Sequence, residues 1–300
     1  MTGVYGNMLE MLSQSSNHFK HSTHLELLGT RIFVCCSSSN CLRGICEYFP
    51  NSIRNGDQTP DVILYIDLRE ADRYLFRSRP EESETEMEGV WFQANGMKDP
   101  APWSFPMYPP LPPLALSALR NRFVGFHSAT VEGEDGLSSL IAGDREAGKS
   151  SLSRLLVNVR NYALLSDETT YLFRRSCIAE PLIVATGLVL IEKGEKRKVR
   201  TNAAKVYRSL ATKPSPIKNL LFLQRRPDSV PSLQRIPQVE AFRLLCAQSR
   251  DVGSEIGEGI STVNRLSKLP AAAFSYSHYS QLEENLNLLD AYLKDERIKT

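Results

Sequence analysis

No run of apolar residues in this chain is long enough to cross a bilayer; the longest, residues 181–191, falls well short of the roughly 20 that a spanning helix needs. An excess of either charge is also missing, since 36 Lys and Arg stand against 34 Asp and Glu, leaving a formal net charge of +2. A balance so near zero advertises neither nucleic acid nor an anionic membrane surface as a partner. The basic tract at 193–200 is interrupted by glutamate and has the composition of a solvated turn. Nothing at the N-terminus reads as a secretory signal, so Cys35, Cys36, Cys41, Cys46, Cys177 and Cys246 are expected to be reduced, as in the cytosol. Histidine is absent from the 35–46 segment where four of these cysteines crowd. Its two four-residue gaps admit a zinc site, but small buried thiols on a strand and helix suit the pattern better. The trio His18, His21 and His24 contains no thiol or carboxylate and reads as the solvated flank of a loosely held segment, 1–22.

What the chain does contain is the octapeptide Gly143, Asp144, Arg145, Glu146, Ala147, Gly148, Lys149, Ser150, which satisfies G-x-x-x-x-G-K-[ST] without a mismatch. It follows a strand pattern at 137–142 and opens a helical pattern at 151–158, the context a phosphate-binding loop requires. A short strand-to-helix loop aims successive backbone N–H groups at phosphate oxygens, with the positive end of the helix dipole behind them. Gly143 and Gly148 allow the turn and the close approach. Lys149 reaches the β- and γ-phosphates, Ser150 offers its hydroxyl to Mg²⁺, and Asp144 to Ala147 and Ser151 complete the cradle. The expected ligands are ATP and Mg²⁺.

Around that motif the pattern reads as α/β. Strands are expected at 30–36 and 62–66 with a helix at 39–48 between them, then an acidic, turn-rich stretch at 77–88 and a proline-dense one at 95–113. The latter reads as a linker. The expected organisation is a small N-terminal α/β domain with its Pro-rich linker, 1–113, followed by a P-loop domain on a mixed sheet, 114–300. The second begins with a short helix at 114–122 and strands at 123–131 and 136–142. A C-terminal helix at 279–293 sets Leu282, Leu286, Leu289 and Tyr292 on one face, expected to pack on its own domain.

Two further signals lie near the loop. Asp167 and Glu168 are adjacent carboxylates after an apolar stretch, eighteen residues beyond Lys149, a spacing that suits a one-helix crossover to an adjacent strand. In a nucleotide site one such acid can hold Mg²⁺ or its water and another can take a proton from an attacking hydroxyl. His127 stands on a strand ahead of the loop, within reach of the phosphates if that strand neighbours the nucleotide strand. Arg225, Arg226 and Arg235 can steer an acidic substrate or a phosphate, though arginines in a proline-bounded segment are usually just solvated.

Taken together, the strand histidine, the G-x-x-x-x-G-K-S loop and the acid pair resemble the catalytic domain of the bacterial HPr serine kinase/phosphorylase family. The stretches 217–228, 239–243 and 266–270 resemble its divergent, HPr kinase-like members associated with modified-peptide biosynthesis. The resemblance spans about 120–290. It implies an HPr kinase-like fold, a catalytic role for Asp167 as the base, with His127 and Lys149 beside it, and metal ligation by Ser150 and Glu168. It also implies a homo-oligomeric enzyme moving the γ-phosphate of ATP to a Ser/Thr hydroxyl of a peptide or protein acceptor, and agrees with the cytoplasmic location, without nucleic acid or membrane as partner, expected from composition. Glu146 stands where that family usually has glycine, and of its Glu-x-Arg-Gly-Leu-Gly stretch only Gly187 and Leu188 remain. The resemblance therefore carries neither HPr as the acceptor nor phosphorylase activity. A non-catalytic nucleotide-binding scaffold, and an NTPase that couples hydrolysis to a conformational change, are the alternatives.

Overall fold

The protein is described by a computed structural model covering residues 19–50, 52–54, 59–67, 89–94, 101–102, 122–192, 195–249 and 258–294. Residues 1–18 with His18, the acidic stretch 77–88, most of the proline stretch and the helix expected at 114–122, apart from Arg122, lie outside them. The chain divides into two units, Met1–Ala118 with Ala185–Asn202, and Leu119–Val184 with Ala203–Thr300. The expected division into two consecutive pieces at 113 and 114 thus differs from the packing, in which residues 185–202 group with the first unit.

In the first unit, β1 (His21–Leu27), β2 (Thr30–Cys36), α1 (Ser39–Tyr48), β3 (Ile53–Arg54), β4 (Val62–Asp67), β5 (Gly89–Ala94) and β6 (Ala101–Pro102) build a sheet of order β3-β1-β2-β4-β5-β6. β2 and β4 run parallel with α1 in their crossover. Alternate residues of β4, Val62, Leu64 and Ile66, are buried, as the period of two in a strand demands. His21 and His24 belong to β1, paired with Cys36 and Phe33, so the strand starts inside the segment expected to be loose. Cys35 and Cys36 are buried, and burial pushes the Cys35 thiol up to about 11.

The second unit begins with β7 (Phe123–Phe126), β8 (Ser128–Glu132), β9 (Ser138–Gly143), α2 (Lys149–Val159), β10 (Ala163–Ser166), β11 (Thr170–Phe173) and β12 (Ile178–Glu180). The hairpin of β13 (Thr186–Glu192) and β14 (Glu195–Thr201) follows and belongs to the first unit. Most of the basic tract expected as a turn is therefore strand, because it ladders against the apolar run before it. The chain then returns to the second unit with β15 (Ser215–Arg225), β16 (Ser232–Arg235), α3 (Gln238–Gln248), α4 (Glu258–Leu266), β17 (Ala271–Tyr276), α5 (Ser280–Glu284) and α6 (Leu286–Leu293).

Its sheet has the order β10-β8-β9-β15-β12-β11-β7, with β17 beside β15 and β16 beside β17. β9, β15 and β17 are parallel, and β10 runs the same way because both it and β9 are antiparallel to β8. Successive residues of the central strands enter opposite cores. Ile141, Leu221, Leu223, Ala272 and Phe274 pack with Leu152, Leu156 and Leu282 from α2 and α5. Leu140, Ala142, Leu220, Phe222 and Ala273 pack with Ala241, Leu245, Val263 and Leu266 from α3 and α4. The mixed α/β fold is thus a sheet with helices on both faces, each buried Leu or Phe contributing roughly 1.5–3 kcal/mol.

Two local expectations change. The crossover through α2 does not reach a strand adjacent to β9, because the tight β8–β9 hairpin already fills that place and β10 pairs on the far side of β8. Gly136, at a φ of +72°, makes the hairpin turn possible, and its N–H donates to Gly133 O at 3.0 Å. The C-terminal helix is two helices broken at Asn285, whose side chain donates to Gln281 O at 2.8 Å. Leu282, Leu286, Leu289 and Tyr292 nonetheless enter the core of their own unit, as expected.

Candidate functional site

The strands that run in β9's direction end at one edge of the sheet, and the candidate residues gather there. Gly143 ends β9 at a φ of +152°, and a Cβ on it would lie 2.5 Å from Leu223 O of the neighbouring strand. Gly148, at φ 84° and ψ 13°, caps α2 in the left-handed conformation, and a Cβ there would run into the Tyr276 hydroxyl. Glycine is thus required at both positions by shape, before any ligand is considered. Glu146 also has a positive φ, 63°, which accounts for glycine being the easier residue at that position.

The loop is held from outside by groups far away in sequence. Tyr279 Oη donates to Glu146 O at 2.7 Å and Tyr276 Oη donates to Ala147 O at 2.7 Å. Burial pushes the Tyr276 phenol well above its ordinary range, with Tyr279 adding to this and Arg225 opposing it, so Tyr276 stays a donor. Gln248, in the last turn of α3, donates from Nε2 to Asp144 Oδ1 at 3.2 Å. Since C=O and N–H point to opposite sides of a planar trans peptide, tying back the Ala147 carbonyl turns the Gly148 N–H the other way. The leading N–H groups of α2 have no acceptor within the helix, and no side chain caps its N-terminus. Dipole and donors together make this end of α2 suited to an anion.

Lys149 is only 7% exposed, and its Nζ donates to Gly143 O at 2.7 Å and Asp144 O at 2.8 Å. Ser150 Oγ donates to Asp167 Oδ1 at 2.7 Å. Asp167, 2% exposed, also accepts from Tyr207 Oη at 3.2 Å on Oδ2, and Tyr207 in turn lies 3.4 Å from Ser153 Oγ. The turn that carries Asp167 is pinned at its base. Thr170 Oγ1 lies 2.8 Å from each of the Ser128, Thr130 and Ser166 hydroxyls, all fully buried. Glu168 follows in the same turn at a φ of 76°.

His127 sits at the bend between β7 and β8, half-buried, with its backbone N–H donating to Gln248 O at 2.7 Å. Ser128 pairs with Ala142, so His127 stands beside Gly143, on the strand that lies between the loop and Asp167. The structure therefore joins Ser150 and Asp167 directly, holds the Lys149 ammonium on the carbonyls of Gly143 and Asp144, and sets His127 and Glu168 at the same edge. Asp144, Arg145 and Glu146 are exposed on the loop, and Ser151 lies half-buried in the first turn of α2. Arg225 ends β15 at this edge and Arg226 follows it, whereas Arg235 pairs with Ala272 near the opposite end of β17 and is separated from them. Tyr207, Gln248, Tyr276 and Tyr279 escaped the sequence reading. Tyr276 ends a parallel strand and Tyr279 follows it, at the edge where ligands collect in open α/β sheets, which is the signal that could have found them; for Tyr207 no local signal exists. Among the described residues no group of three or more His, Cys, Asp or Glu is placed to hold a metal by protein ligands alone.

A scan against protein-family models finds no match, and neither does a search of the curated proteins. Among solved structures the chain is similar to the HPr(Ser) kinase/phosphatase from Coxiella burnetii, at 14% identity and a TM-score of 0.33, over 58% of this chain and 97% of that one. That is a distant structural relationship.

Proposed function

We propose that the chain is an ATP-dependent phosphotransferase that moves a phosphoryl group to a Ser/Thr hydroxyl of a peptide or protein. The observation that carries this reading is the hydrogen bond from Ser150 Oγ to the buried Asp167 carboxylate, which brings the two ends of the sequence pattern together at 2.7 Å. The residues present fit a nucleoside triphosphate with a divalent cation. The loop has two positions where a Cβ would clash, α2 has an uncapped N-terminus, and a largely buried ammonium lies between them. When bound, ATP with Mg²⁺ supplies the transferable phosphoryl group and the divalent charge that offsets its oxygens.

In this reading the Gly148 N–H, the first N–H groups of α2 and the Lys149 ammonium would hold the phosphates, and Ser150 and Glu168 would hold the cation, with the Ser150 hydroxyl bonded to Asp167 Oδ1 as it is here. Asp167 takes the proton of the acceptor hydroxyl at Oδ2, where Tyr207 now donates at the longer distance of 3.2 Å. His127 lies between the loop and Asp167 and is the third polar group at the reacting end. Positioning and electrostatics supply most of the rate in such a site.

The test is intact-mass analysis of candidate peptides and proteins after incubation with ATP, Mg²⁺ and the full chain. Wild type is expected to add the mass of one or more phosphoryl groups, whereas Lys149→Ala and Asp167→Asn add none, a fall of about 10²–10⁴-fold for the loss of the base. Transfer by Asp167→Asn at the wild-type rate would sink the proposal. ADP release without modification of any acceptor would point instead to an NTPase.

A further inference from the structure

The strand order sets two different neighbourhoods on either side of the 143–150 loop. β10 carries Asp167 two strands to one side of β9, while β15 and β17 lie on the other side, with Leu223 opposite Gly143 and Arg225 opposite Tyr276. With the reacting end beside Ser150 and Asp167, the far end of a nucleotide lying across the loop finds its support on the β15 and β17 side.

What stands there is a flat cation on an aromatic ring. The Arg225 guanidinium lies 4.7 Å from the centroid of the Tyr279 ring, and that ring is anchored to the loop by its hydroxyl on Glu146 O. Tyr279 is 44% exposed and Arg225 is exposed; among the described residues Arg225 has no carboxylate partner to draw it off the ring. A guanidinium held over an aromatic face keeps its outer face for another flat, electron-rich ring. Gln281, the amide closest in sequence to Tyr279, has its Oε1 taken up by the Ser277 N–H, the Ser277 hydroxyl and the His278 N–H, which withholds that oxygen from the exocyclic amine of adenine, while its Nε2 donors suit a ring nitrogen of adenine and the carbonyl of guanine alike.

We propose that the Arg225–Tyr279 pair is the platform on which the base of the nucleotide stacks. Recognition is by the face of the base and not by its edge, so guanine nucleotides are accepted alongside adenine ones. This inference rests on the nucleotide reading given above. It makes Arg225 a nucleotide-binding residue for a reaction whose chemistry takes place on the other side of β9.

Isothermal titration of the full chain with ATP, GTP and tripolyphosphate, each with Mg²⁺, tests it by binding alone. Wild type is expected to bind ATP and GTP within about 3-fold of each other. Arg225→Ala is expected to weaken both by about 10-fold, the order set by the loss of one stacked base, while tripolyphosphate changes by less than about 2-fold. Arg225→Lys keeps the charge but loses the plane, and is expected to behave like Arg225→Ala. Equal weakening of tripolyphosphate, rescued by lysine, would overturn the proposal in favour of a charge acting on the phosphates. Unchanged nucleotide affinity in both variants, or a wild type that binds ATP and not GTP, would also overturn it. A wild type that binds none of the three ligands would instead remove the nucleotide reading itself.

Discussion

In the first unit the buried polar side chains among the described residues are neutral, Thr30, Ser52 and Thr186, whereas the second unit buries Lys149, Asp167 and Asp290. Burying a charge is costly unless partners replace the water it loses, so each of these three needs a reason. Asp290 has a structural one. It accepts from Tyr162 Oη at 3.0 Å and Lys294 Nζ at 2.9 Å, with Arg160 close by, and so ties α6 to the region that follows α2. Asp167 is held by the hydroxyls of Ser150 and Tyr207 instead, and Lys149 by carbonyl oxygens of its own loop. The lesson of the comparison is that burial of charge does not by itself mark a site. What sets the candidate site apart is that a buried carboxylate and a buried ammonium stand at a glycine-bounded loop at the edge where parallel strands end.

That contrast can be broken or sharpened by experiment. The largest effect is expected from Gly143→Ala, whose Cβ would press on Leu223 O. It should lower the unfolding free energy by about 1–3 kcal/mol, read from the urea midpoint, and abolish nucleotide binding. A variant that keeps full stability and affinity would show that the loop is not packed as described. Next, Tyr207→Phe removes the donor to Asp167 Oδ2 and should lower kcat about 10-fold for roughly 1 kcal/mol of stability. Lost stability with an unchanged rate would make Tyr207 a packing residue comparable with Tyr162.

Cys35 probes the first unit, where burial acts on a thiol. Its value rises from 9.0 to about 11, so the folded state holds the proton more tightly than the unfolded chain does. The resulting stability is fully present below pH 9 and is lost between pH 9 and about 11. Urea midpoints across that window should fall more steeply for wild type than for Cys35→Ala, and identical slopes would contradict the burial. The smallest effect is expected at the partly exposed Arg31–Asp61 pair, where Nη2 meets Oδ1 at 2.7 Å and the Arg31 side-chain hydrogen bond holds Asp61 below its usual range. Stability from that pair is present above the ordinary carboxylate pKa and lost as pH falls through the folded value. Arg31→Ala should move the urea midpoint at neutral pH by less than any of the substitutions above, because solvent screens the exposed pair. A larger shift would mean that the first unit too depends on charge.

Local pattern revealed the elements well where a single period rules. β2 and α1 occupy the expected spans 30–36 and 39–48, and β9 and α2 flank the loop as its pattern demands. The alternation of Leu220, Leu221, Phe222 and Leu223 between two cores is the same signal on a strand buried on both faces. The break at Asn285 was not legible, because the apolar face of the C-terminal segment continues across it, and the Asn285 side chain there adds a bond to the same Gln281 O that its backbone N–H reaches.

By itself, the sequence determined a glycine-bounded loop between a strand and a helix, Lys149 and Ser150 at its end, an acid pair one helix later and the alternating cores that make the fold α/β. All of these depend on residues close together in the chain, where backbone geometry fixes what a given spacing means. Only the tertiary structure decided that β8 fills the place beside β9, so that Asp167 arrives from one strand further away and His127 falls between them. Only it brought Tyr207, Gln248, Tyr276 and Tyr279 to the loop and grouped residues 185–202 with the first unit. Those outcomes depend on strand pairing and side-chain contacts across tens to more than a hundred residues, where packing of the whole sheet, and no local period, selects the partner.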